Sequence, residues 1–293
     1  MNNRITLYLM SYKGYYVLQK ILSEFDHLVV DKIISSRDNK VEKDFYVEIR
    51  DLSVSFGIQF FDKNDLFVID TEYIVAISWR WLIKTEKQLI VLHDSLLPRY
   101  RGFSPLVNCL INEEKTIGVT AIIANNEYDT GDIIDQRELG IKYPIKIFEA
   151  IEILTPLYFE IIRDIISKII ISKPLIGKKQ EESLCSYSLW RDEDDYKIDW
   201  REKATYIRRF IDSVGFPFLG ASSYMGNKKV RIAEAEEFND VKIENRIPGK
   251  VIFIKNGNPV VVCGNGLLLL TKVNEETSGK SALPLNKIRI HFK

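Results

Sequence analysis

The chain has 293 residues, a length that predicts about two domains. Lysine plus arginine and aspartate plus glutamate number 41 each, so the formal net charge is zero. That balance argues against a nucleic-acid coat protein or a polybasic membrane binder. Hydrophobic residues make up 46% and charged residues 28%, which is the composition of a globular protein and not of a disordered chain.

Cysteine and histidine are few and scattered. The three cysteines form no C-x-x-C pair, and the only histidines are His27, His93 and His291. We therefore expect neither a disulfide framework nor a metal site. The N-terminus lacks the long apolar stretch of a signal peptide, and no apolar run is long enough to span a bilayer. We expect a cytoplasmic protein with no membrane partner.

The first half of the chain alternates between short apolar strands and helical periods. Tyr15, Leu18 and Ile21 recur at helical spacing, and Gly57 is placed to end a second helix. Runs of β-branched and aromatic residues predict strands at residues 5–10, 28–34, 58–61, 73–77 and 88–92. Strands separated by helices indicate an α/β fold with a Rossmann-like, doubly wound, mostly parallel sheet.

The pattern changes in the second half of the chain. A helix is predicted over 145–171, and the polar segment 173–188, which contains Pro and Gly, is interpreted as a linker. Further predicted elements are strands at 119–123 and 133–135, a helix at 205–214, and strands at 221–224, 229–233, 250–254, 260–262 and 267–270. We predict a Rossmann-like domain over 1–180 and a smaller β-rich domain, a barrel or a sandwich, over 181–293.

A histidine and an acidic turn follow the ends of predicted strands. The strand at 88–92 runs into His93, which opens a loop bounded by Pro98 and Gly102. Asp129 lies in the turn Y-D-T-G-D, directly before another strand. Active sites of parallel α/β sheets lie at the carboxyl ends of strands, so His93 and Asp129 are candidates for a proton-transfer pair. On spacing alone, a structural histidine and a turn-forming Asp-Thr-Gly remain an open alternative.

Residues 93–102, H-D-S-L-L-P-R-Y-R-G, resemble the H-x-S-L-L-P-x-Y-R-G signature of the folate-dependent formyltransferases. That family includes glycinamide ribonucleotide transformylase, methionyl-tRNA formyltransferase and the sugar N-formyltransferases. The resemblance continues through G-V-T at 118–120, D-T-G-D-I at 129–133 and I-D-W at 198–200. A weaker match, S-W-R-W-L-I at 78–83, is similar to the stretch that lines the folate pocket in the sugar enzymes.

The resemblance implies transfer of a formyl group from 10-formyltetrahydrofolate to a primary amine, without a metal. His93 would supply a hydrogen bond or a proton to the tetrahedral oxyanion, and Asp129 would orient His93 and help to accept the proton of the amine. The family has an Asn two residues before the His, whereas this chain has Val91. We hypothesise that Asn125 or Asn126 supports the oxyanion in its place.

The resemblance also implies binding residues for both reactants. Flat aromatic rings suit a pterin, and backbone groups at Leu97 and along 123–129 would hold its edge. The implied cofactor-binding residues are Trp79, Trp81, Leu82, Leu97, Ile123, Asn125, Tyr128 and Asp129. Arginine suits phosphate oxygens, and the implied substrate-binding residues are Lys13, Ser95, Arg99, Tyr100, Arg101, Gly102 and Arg191.

Three interpretations of the substrate remain. The preferred one is a sugar N-formyltransferase that modifies a nucleotide-linked amino sugar for a surface glycan or glycoconjugate, because residues 35–43 lack the basic insertion of the tRNA enzyme. Methionyl-tRNA formyltransferase is the alternative that suits the 16 basic and 9 acidic residues of 201–293. A non-catalytic relative that binds folate or a nucleotide sugar is suggested by Val91. Similarity to the sugar enzymes also implies a homodimer, with nucleic acid not the expected partner.

Overall fold

The computed structural model describes residues 3–293 and contains two compact units. The first unit comprises residues up to Cys109, Lys115–Ile141 and Ala150–Leu189, and the second comprises Leu110–Glu114, Lys142–Glu149 and Trp190–Lys293. The division after Leu189 lies beyond the predicted boundary at residue 180. The reason is that residues 178–188, interpreted above as part of a linker, hydrogen-bond within the first unit.

A seven-stranded sheet forms the centre of the first unit. Its strands are β1 (Ile5–Leu9), β2 (Val30–Ser35), β3 (Gln59–Asp62), β4 (Tyr73–Ile77), β5 (Gln88–His93), β7 (Thr116–Ile123) and β8 (Asp132–Gly140). Two further strands, β6 (Arg101–Gly102) and β9 (Tyr187–Ser188), form a separate pair. The order in the sheet is β3-β2-β1-β4-β5-β7-β8. Strands β1 to β5 pair in parallel, and β7 and β8 are antiparallel. The predicted mostly parallel α/β sheet is confirmed.

Four helices accompany these strands along the chain: α1 (Ser11–Glu24), α2 (Tyr46–Ser55), α3 (Pro105–Ile111) and α4 (Ile147–Ile170). Gly14 lets α1 begin directly after β1, because a Cβ at this position would lie 3.1 Å from the Cβ of Leu9. Gly57, with a φ of +69°, follows the end of α2 as predicted. The seven-residue α3 was not predicted, since it is too short to show a helical period.

The second unit has one helix and one antiparallel sheet. Its elements are α5 (Ala204–Val214), β10 (Ala221–Met225), β11 (Lys228–Phe238), β12 (Val251–Lys255), β13 (Asn258–Val262) and β14 (Leu267–Glu275). The strand order is β10-β11-β14-β13-β12. Residues 290–293 hydrogen-bond to both edge strands, since Tyr224 on β10 pairs with Lys293, and Val251 on β12 donates to the Ile290 carbonyl at 3.1 Å. This bridging resembles a barrel more than a sandwich.

The I-D-W segment fastens the start of the second unit to its sheet. Ile198 and Trp200 are buried, and the Trp200 indole donates a hydrogen bond to Ser223 Oγ on β10 at 3.0 Å. The Trp200 ring also lies 5.7 Å from the ring of Phe292, centroid to centroid. Within residues 3–293, no helix combines the length and the apolar character needed to cross a bilayer.

Asp212 makes the stability of the second unit depend on pH. It lies on α5, is 8% exposed, and accepts a hydrogen bond from Arg208 Nη1 at 3.0 Å. Burial raises the pKa of Asp212 from 3.8 to about 6, although Arg208 and Lys146 oppose that shift. Between about pH 4 and pH 6 the folded protein binds a proton that the unfolded chain does not, so this group's contribution to stability falls as the pH rises through that range.

We expect Asp212→Asn to remove this dependence. The free energy of unfolding of the variant minus that of the wild type should increase between pH 4 and pH 7, by at most about 3 kcal/mol. Urea denaturation at both pH values measures the difference. Asp199→Asn is the control: Arg201 lowers the pKa of Asp199 from 3.8, so this group is mostly ionised in both states above pH 4 and its loss should leave the difference nearly constant. Equal pH slopes for wild type and Asp212→Asn would contradict the prediction.

Candidate active site

His93 is the last residue of β5, at the carboxyl end of the parallel sheet. Its ring is 7% exposed, and Nε2 lies 2.8 Å from the Tyr100 carbonyl oxygen. Because a carbonyl oxygen only accepts hydrogen bonds, Nε2 carries a hydrogen. The other ring nitrogen, Nδ1, lies 3.5 Å from Asp129 Oδ1. The two residues predicted to form a proton-transfer pair are therefore neighbours in the fold.

The Asp129 carboxylate is held in one orientation. Its backbone is left-handed, with a φ of +55°, and the Gly102 N–H donates to Oδ2 at 2.8 Å. This leaves Oδ1 directed at His93. Gly131 lets the turn pass close to β7, because a Cβ there would lie 1.9 Å from the Ile123 carbonyl oxygen. The glycine of the D-x-G motif is thus a steric requirement of the turn.

This geometry favours Asp129 as a base and restricts His93. A fixed carboxylate beside an imidazole can take a proton from the ring or from a bridging water. Both ring nitrogens of His93 face protein acceptors, the Tyr100 carbonyl and the Asp129 carboxylate. For His93 to donate to an oxyanion, as the resemblance implies, one of these contacts has to open.

No amide side chain stands at the position two residues before His93. Val91 packs against a hydrophobic cluster that contains Tyr8, with Trp79 beside it. Asn125 Oδ1 accepts hydrogen bonds from the Glu127 N–H at 3.0 Å and from Thr130 Oγ1 at 2.9 Å, so it closes the turn before Asp129. Asn126 is exposed. Support of the oxyanion by either asparagine stays a prediction.

The two tryptophans lie together but in different environments. Their rings meet edge to face with centroids 5.2 Å apart. Trp79 also packs on Tyr8 at 4.8 Å, and its buried Nε1 has no hydrogen-bond partner among the described residues. Trp81 is 40% exposed, with Lys63 Nζ 3.4 Å from its ring centroid. Trp79 is therefore mainly a core residue, whereas Trp81 is accessible to a ligand.

Other implied cofactor residues differ in accessibility. Leu82 is 67% exposed, and Tyr128 is 65% exposed with its ring 5.9 Å from that of Phe103. Ile123 ends β7. Their roles in binding folate stay predictions.

The loop after His93 uses its own polar groups to hold its shape. The Leu97 N–H donates to Thr120 Oγ1 at 3.2 Å, and the Leu97 carbonyl accepts from Gln136 Nε2 at 3.0 Å. Buried Ser95 donates to the Arg99 carbonyl at 2.7 Å. Leu97 and Ser95 were expected to contact the reactants, but these groups already bond within the protein. They shape the loop, and binding of the reactants by Leu97 and Ser95 stays a prediction.

Lys13 and Asp94 form a buried ion pair, with Lys13 Nζ 5.5 Å from the ring centroid of Tyr158. Lys13 was predicted to bind phosphate at the start of α1. Its charge is neutralised by Asp94 and its side chain is only 10% exposed. Phosphate binding by Lys13 stays a prediction. The ion pair links α1 to the residue that follows His93.

The Arg101 guanidinium also forms its hydrogen bonds within the protein. It is 1% exposed, and its guanidinium donates to Glu182 through both Nη atoms, at 2.9 and 2.7 Å. Nε and Nη2 donate to Gln180 Oε1 at 3.0 and 2.9 Å. The hydrogen bonds that Arg101 donates to Glu182 raise the pKa of Arg101 further above its usual range. The guanidinium therefore has a structural role, and its predicted phosphate contact stays a prediction.

The remaining implied substrate residues fall in several settings. Gly102 needs to be glycine, since a Cβ would lie 2.5 Å from the Ser188 carbonyl oxygen. Arg99 is exposed, and its guanidinium lies 5.2 Å from the ring centroid of buried Tyr100. Arg191 belongs to the second unit, where its Nη1 donates to the Asp195 carbonyl at 3.4 Å. Substrate binding by Arg99, Tyr100 and Arg191 stays a prediction.

Nothing in the sequence indicated two residues that hydrogen-bond to the backbone of the candidate site. Gln180 Nε2 donates to the carbonyls of Asp129 and Gly131, at 2.7 and 2.8 Å. Ser186 Oγ accepts from the Tyr100 N–H at 2.9 Å. Both lie in the segment interpreted as a linker, where polar residues without a period carry no signal of a buried contact. Among residues 3–293, no group of three or more His, Cys, Asp and Glu side chains is placed to hold a metal ion.

Three known proteins show what the chain resembles. The methionyl-tRNA formyltransferase of Geobacter sulfurreducens is 29% identical over 208 residues, which span 70% of this chain and 62% of that enzyme. WlaRD, a sugar 3N-formyltransferase crystallised with dTDP and 5-N-formyl-THF, gives a TM-score of 0.64 at 18% identity and covers 98% of this chain and 99% of its own. An N-formyltransferase from Helicobacter canadensis, in complex with folinic acid and dTDP-3-aminofucose, gives 0.63 at 17% identity, covering 91% and 98%. At such identities the structural likeness shows the fold alone.

Two family models match the chain directly. The formyl transferase model covers residues 63–146, which include both His93 and Asp129. The formyl transferase C-terminal domain model covers residues 191–287, which include the antiparallel sheet. Together they account for most of the chain, in the order and places that the signature at 93–102 and the I-D-W segment indicated. The chain belongs to the formyltransferase family.

Proposed function

We propose that the chain moves a formyl group from 10-formyltetrahydrofolate to a primary amine of a nucleotide-linked amino sugar. The observation that carries the proposal is the contact between His93 and Asp129, 3.5 Å apart at the carboxyl end of β5, within the formyltransferase signature. Relatives crystallised with folate derivatives and dTDP compounds support both reactants.

The reaction requires a proton to pass from the amine to the folate nitrogen. The amine nitrogen attacks the formyl carbon, the carbonyl electrons move to oxygen, and a tetrahedral oxyanion forms. Asp129 accepts the proton that the amine loses, directly or through a water molecule. Collapse of the intermediate expels the folate nitrogen, which takes up the proton and leaves as tetrahydrofolate.

The segment after β2 favours a sugar nucleotide over tRNA. Two of its cations are paired, Arg37 with Asp44 at 3.3 Å and Lys43 with Glu48 at 3.0 Å. Its Asp38 pairs with Arg80 at 2.6 Å. The Arg37 guanidinium also lies 4.4 Å from the ring centroid of Tyr46. Affinity for nucleic acid rests on many phosphate contacts, whereas a pyrophosphate needs a few.

Methionyl-tRNA is the second candidate acceptor, because a sequence relative is a methionyl-tRNA formyltransferase. The basic excess of the C-terminal region is a weaker argument than it was from sequence. Lys229 pairs with Glu193 at 2.6 Å and with Glu276 at 3.4 Å, and Arg231 pairs with Glu193 at 2.6 Å. Part of the basic charge is therefore neutralised locally. A non-catalytic relative is the third interpretation, and it rests on Val91.

Turnover on a panel of acceptors tests the substrate. We expect purified protein with 10-formyltetrahydrofolate to formylate at least one nucleotide-linked amino sugar, detected as tetrahydrofolate release together with a formyl mass increment. Charged initiator tRNA in parallel should remain unmodified. Turnover on tRNA alone would establish methionyl-tRNA as the acceptor. Absence of turnover on every acceptor would favour the non-catalytic interpretation.

The two central side chains are tested by substitution. His93→Ala and Asp129→Asn should each lower kcat by about 10²- to 10⁴-fold, because each removes one partner of the proton-transfer pair. His27→Ala is the matched control, since His27 is about half exposed and lies just before β2, at the opposite end of the parallel strands from His93. A loss below tenfold in both site variants would contradict the assigned roles.

Asn125→Ala and Asn126→Ala test the replacement for the missing amide. If one carboxamide donates to the oxyanion, its loss should lower kcat by about 10²-fold or more, the size expected for one oxyanion donor. The expected KM change is small, since the interaction strengthens only as charge develops. Asn125 also closes the turn before Asp129, so its variant is checked for an unchanged circular dichroism spectrum. Unchanged turnover in both variants would refute the hypothesis.

A further inference from the structure

We propose that Gln180 is a positioning residue for Asp129, and that residues 178–188, here called the strap, hold the two halves of the candidate site together. The proposal rests on the proposed function, since it concerns the same pair of side chains. Residues 178–188 thereby have a defined structural role, although the sequence predicts a linker there.

One end of the strap holds the Asp129 turn. Gln180 Nε2 donates to the Asp129 carbonyl at 2.7 Å and to the Gly131 carbonyl at 2.8 Å. Lys178 extends this contact, because its N–H and carbonyl pair with those of Ile133 at 2.8 Å in each direction. One carboxamide therefore holds the backbone carbonyl of Asp129 and that of Gly131, two residues further on.

The other end of the strap holds the His93 loop. Ser186 accepts hydrogen bonds from the Tyr100 N–H, through Oγ at 2.9 Å, and from the Arg101 N–H, through its carbonyl at 2.8 Å. Tyr100 supplies the carbonyl that His93 Nε2 contacts. The strands β6 and β9 pair in the same place. Both partners of the pair thus depend on one stretch of chain.

Arg101 determines which way the Gln180 carboxamide points. Its Nε and Nη2 both donate to Gln180 Oε1, so the oxygen faces Arg101 and the NH₂ group faces the turn. The charge of a buried guanidinium also polarises the amide and strengthens the bonds that its NH₂ donates. Glu182 neutralises Arg101 from the other side, at 2.7 and 2.9 Å.

The Asp129 turn needs such a clamp. A left-handed φ of +55° on a residue other than glycine is costly and persists only where the surroundings enforce it. The Gly102 N–H fixes the side chain, while Gln180 fixes the main chain. Without the two donors of Gln180 the turn can relax, and Oδ1 then moves from its place 3.5 Å from His93 Nδ1.

Gln180→Glu is the sharpest test, because it keeps the length of the side chain and the acceptor for Arg101 but replaces the donating NH₂ group with oxygen. We expect the ring-nitrogen NMR shifts of His93 to move in the direction that Asp129→Asn produces. The shifts of His27 and His291 should stay as in the wild type, and three histidines make the assignment direct. Gln180→Met, which also lacks the donors, repeats the test in case the carboxylate prevents folding.

Glu182→Gln is the matched control. It changes the other partner of Arg101, retains a hydrogen-bond acceptor there, and leaves the Gln180 donors in place. We expect a lower melting temperature and unchanged His93 ring shifts. If the strap were merely structural, the Gln180 and Glu182 variants would both show a lower melting temperature and unchanged His93 ring shifts. That outcome would overturn the proposal.

Turnover adds an independent measurement. With the acceptor identified by the substrate panel, Gln180→Glu should lower kcat by about 10- to 100-fold, with KM within about threefold of wild type, as expected for a displaced catalytic group. A rise in KM at unchanged kcat would overturn the proposal. Absence of formyl transfer by the wild type would contradict the proposed function and not the strap, whose effect on the His93 shifts is measured without substrate.

Discussion

Burial of the Arg101 guanidinium is the constraint on which the candidate site depends. A cation that is 1% exposed has to be neutralised and fully hydrogen-bonded, and Glu182 and Gln180 meet that requirement. Both partners come from the strap, so satisfying one arginine brings residues 178–188 onto the signature loop. Removal of either partner would leave a buried charge with unfilled donors, which costs more than an ordinary surface ion pair contributes.

The signature at 93–102 is accordingly more structural than its composition suggests. Arginine, serine and lysine near a strand end are typical of phosphate sites, yet Lys13, Ser95 and Arg101 all bond within the protein. Gly102 has two constraints at once, since its N–H binds Asp129 and Ser188 leaves no room for a Cβ. A sequence motif of this kind specifies the shape of a loop, and within it the proposed chemistry falls to His93.

The parts that could be predicted from sequence are those with a local signal. Strands β1 to β5 and helix α1 have apolar runs or helical spacing, and His93 and Asp129 follow from their places at strand ends. Gln180 could not be found in this way, because a glutamine in a polar segment shows its role only through the carbonyls that it meets. Polar groups whose partners are distant in sequence leave no periodic trace, which is why the strap was interpreted as a linker.

Val91 changes how the site has to work. An apolar side chain there belongs to the cluster around Tyr8, so β5 carries no amide donor beside His93. His93 is itself flanked by the Tyr100 carbonyl and the Asp129 carboxylate, which occupy both sides of its ring. Asp129 is held at two places, by Gly102 at its side chain and by Gln180 at its carbonyl. Under the proposed function, catalysis depends on placing this one carboxylate accurately, and the strap is the segment that we propose does so.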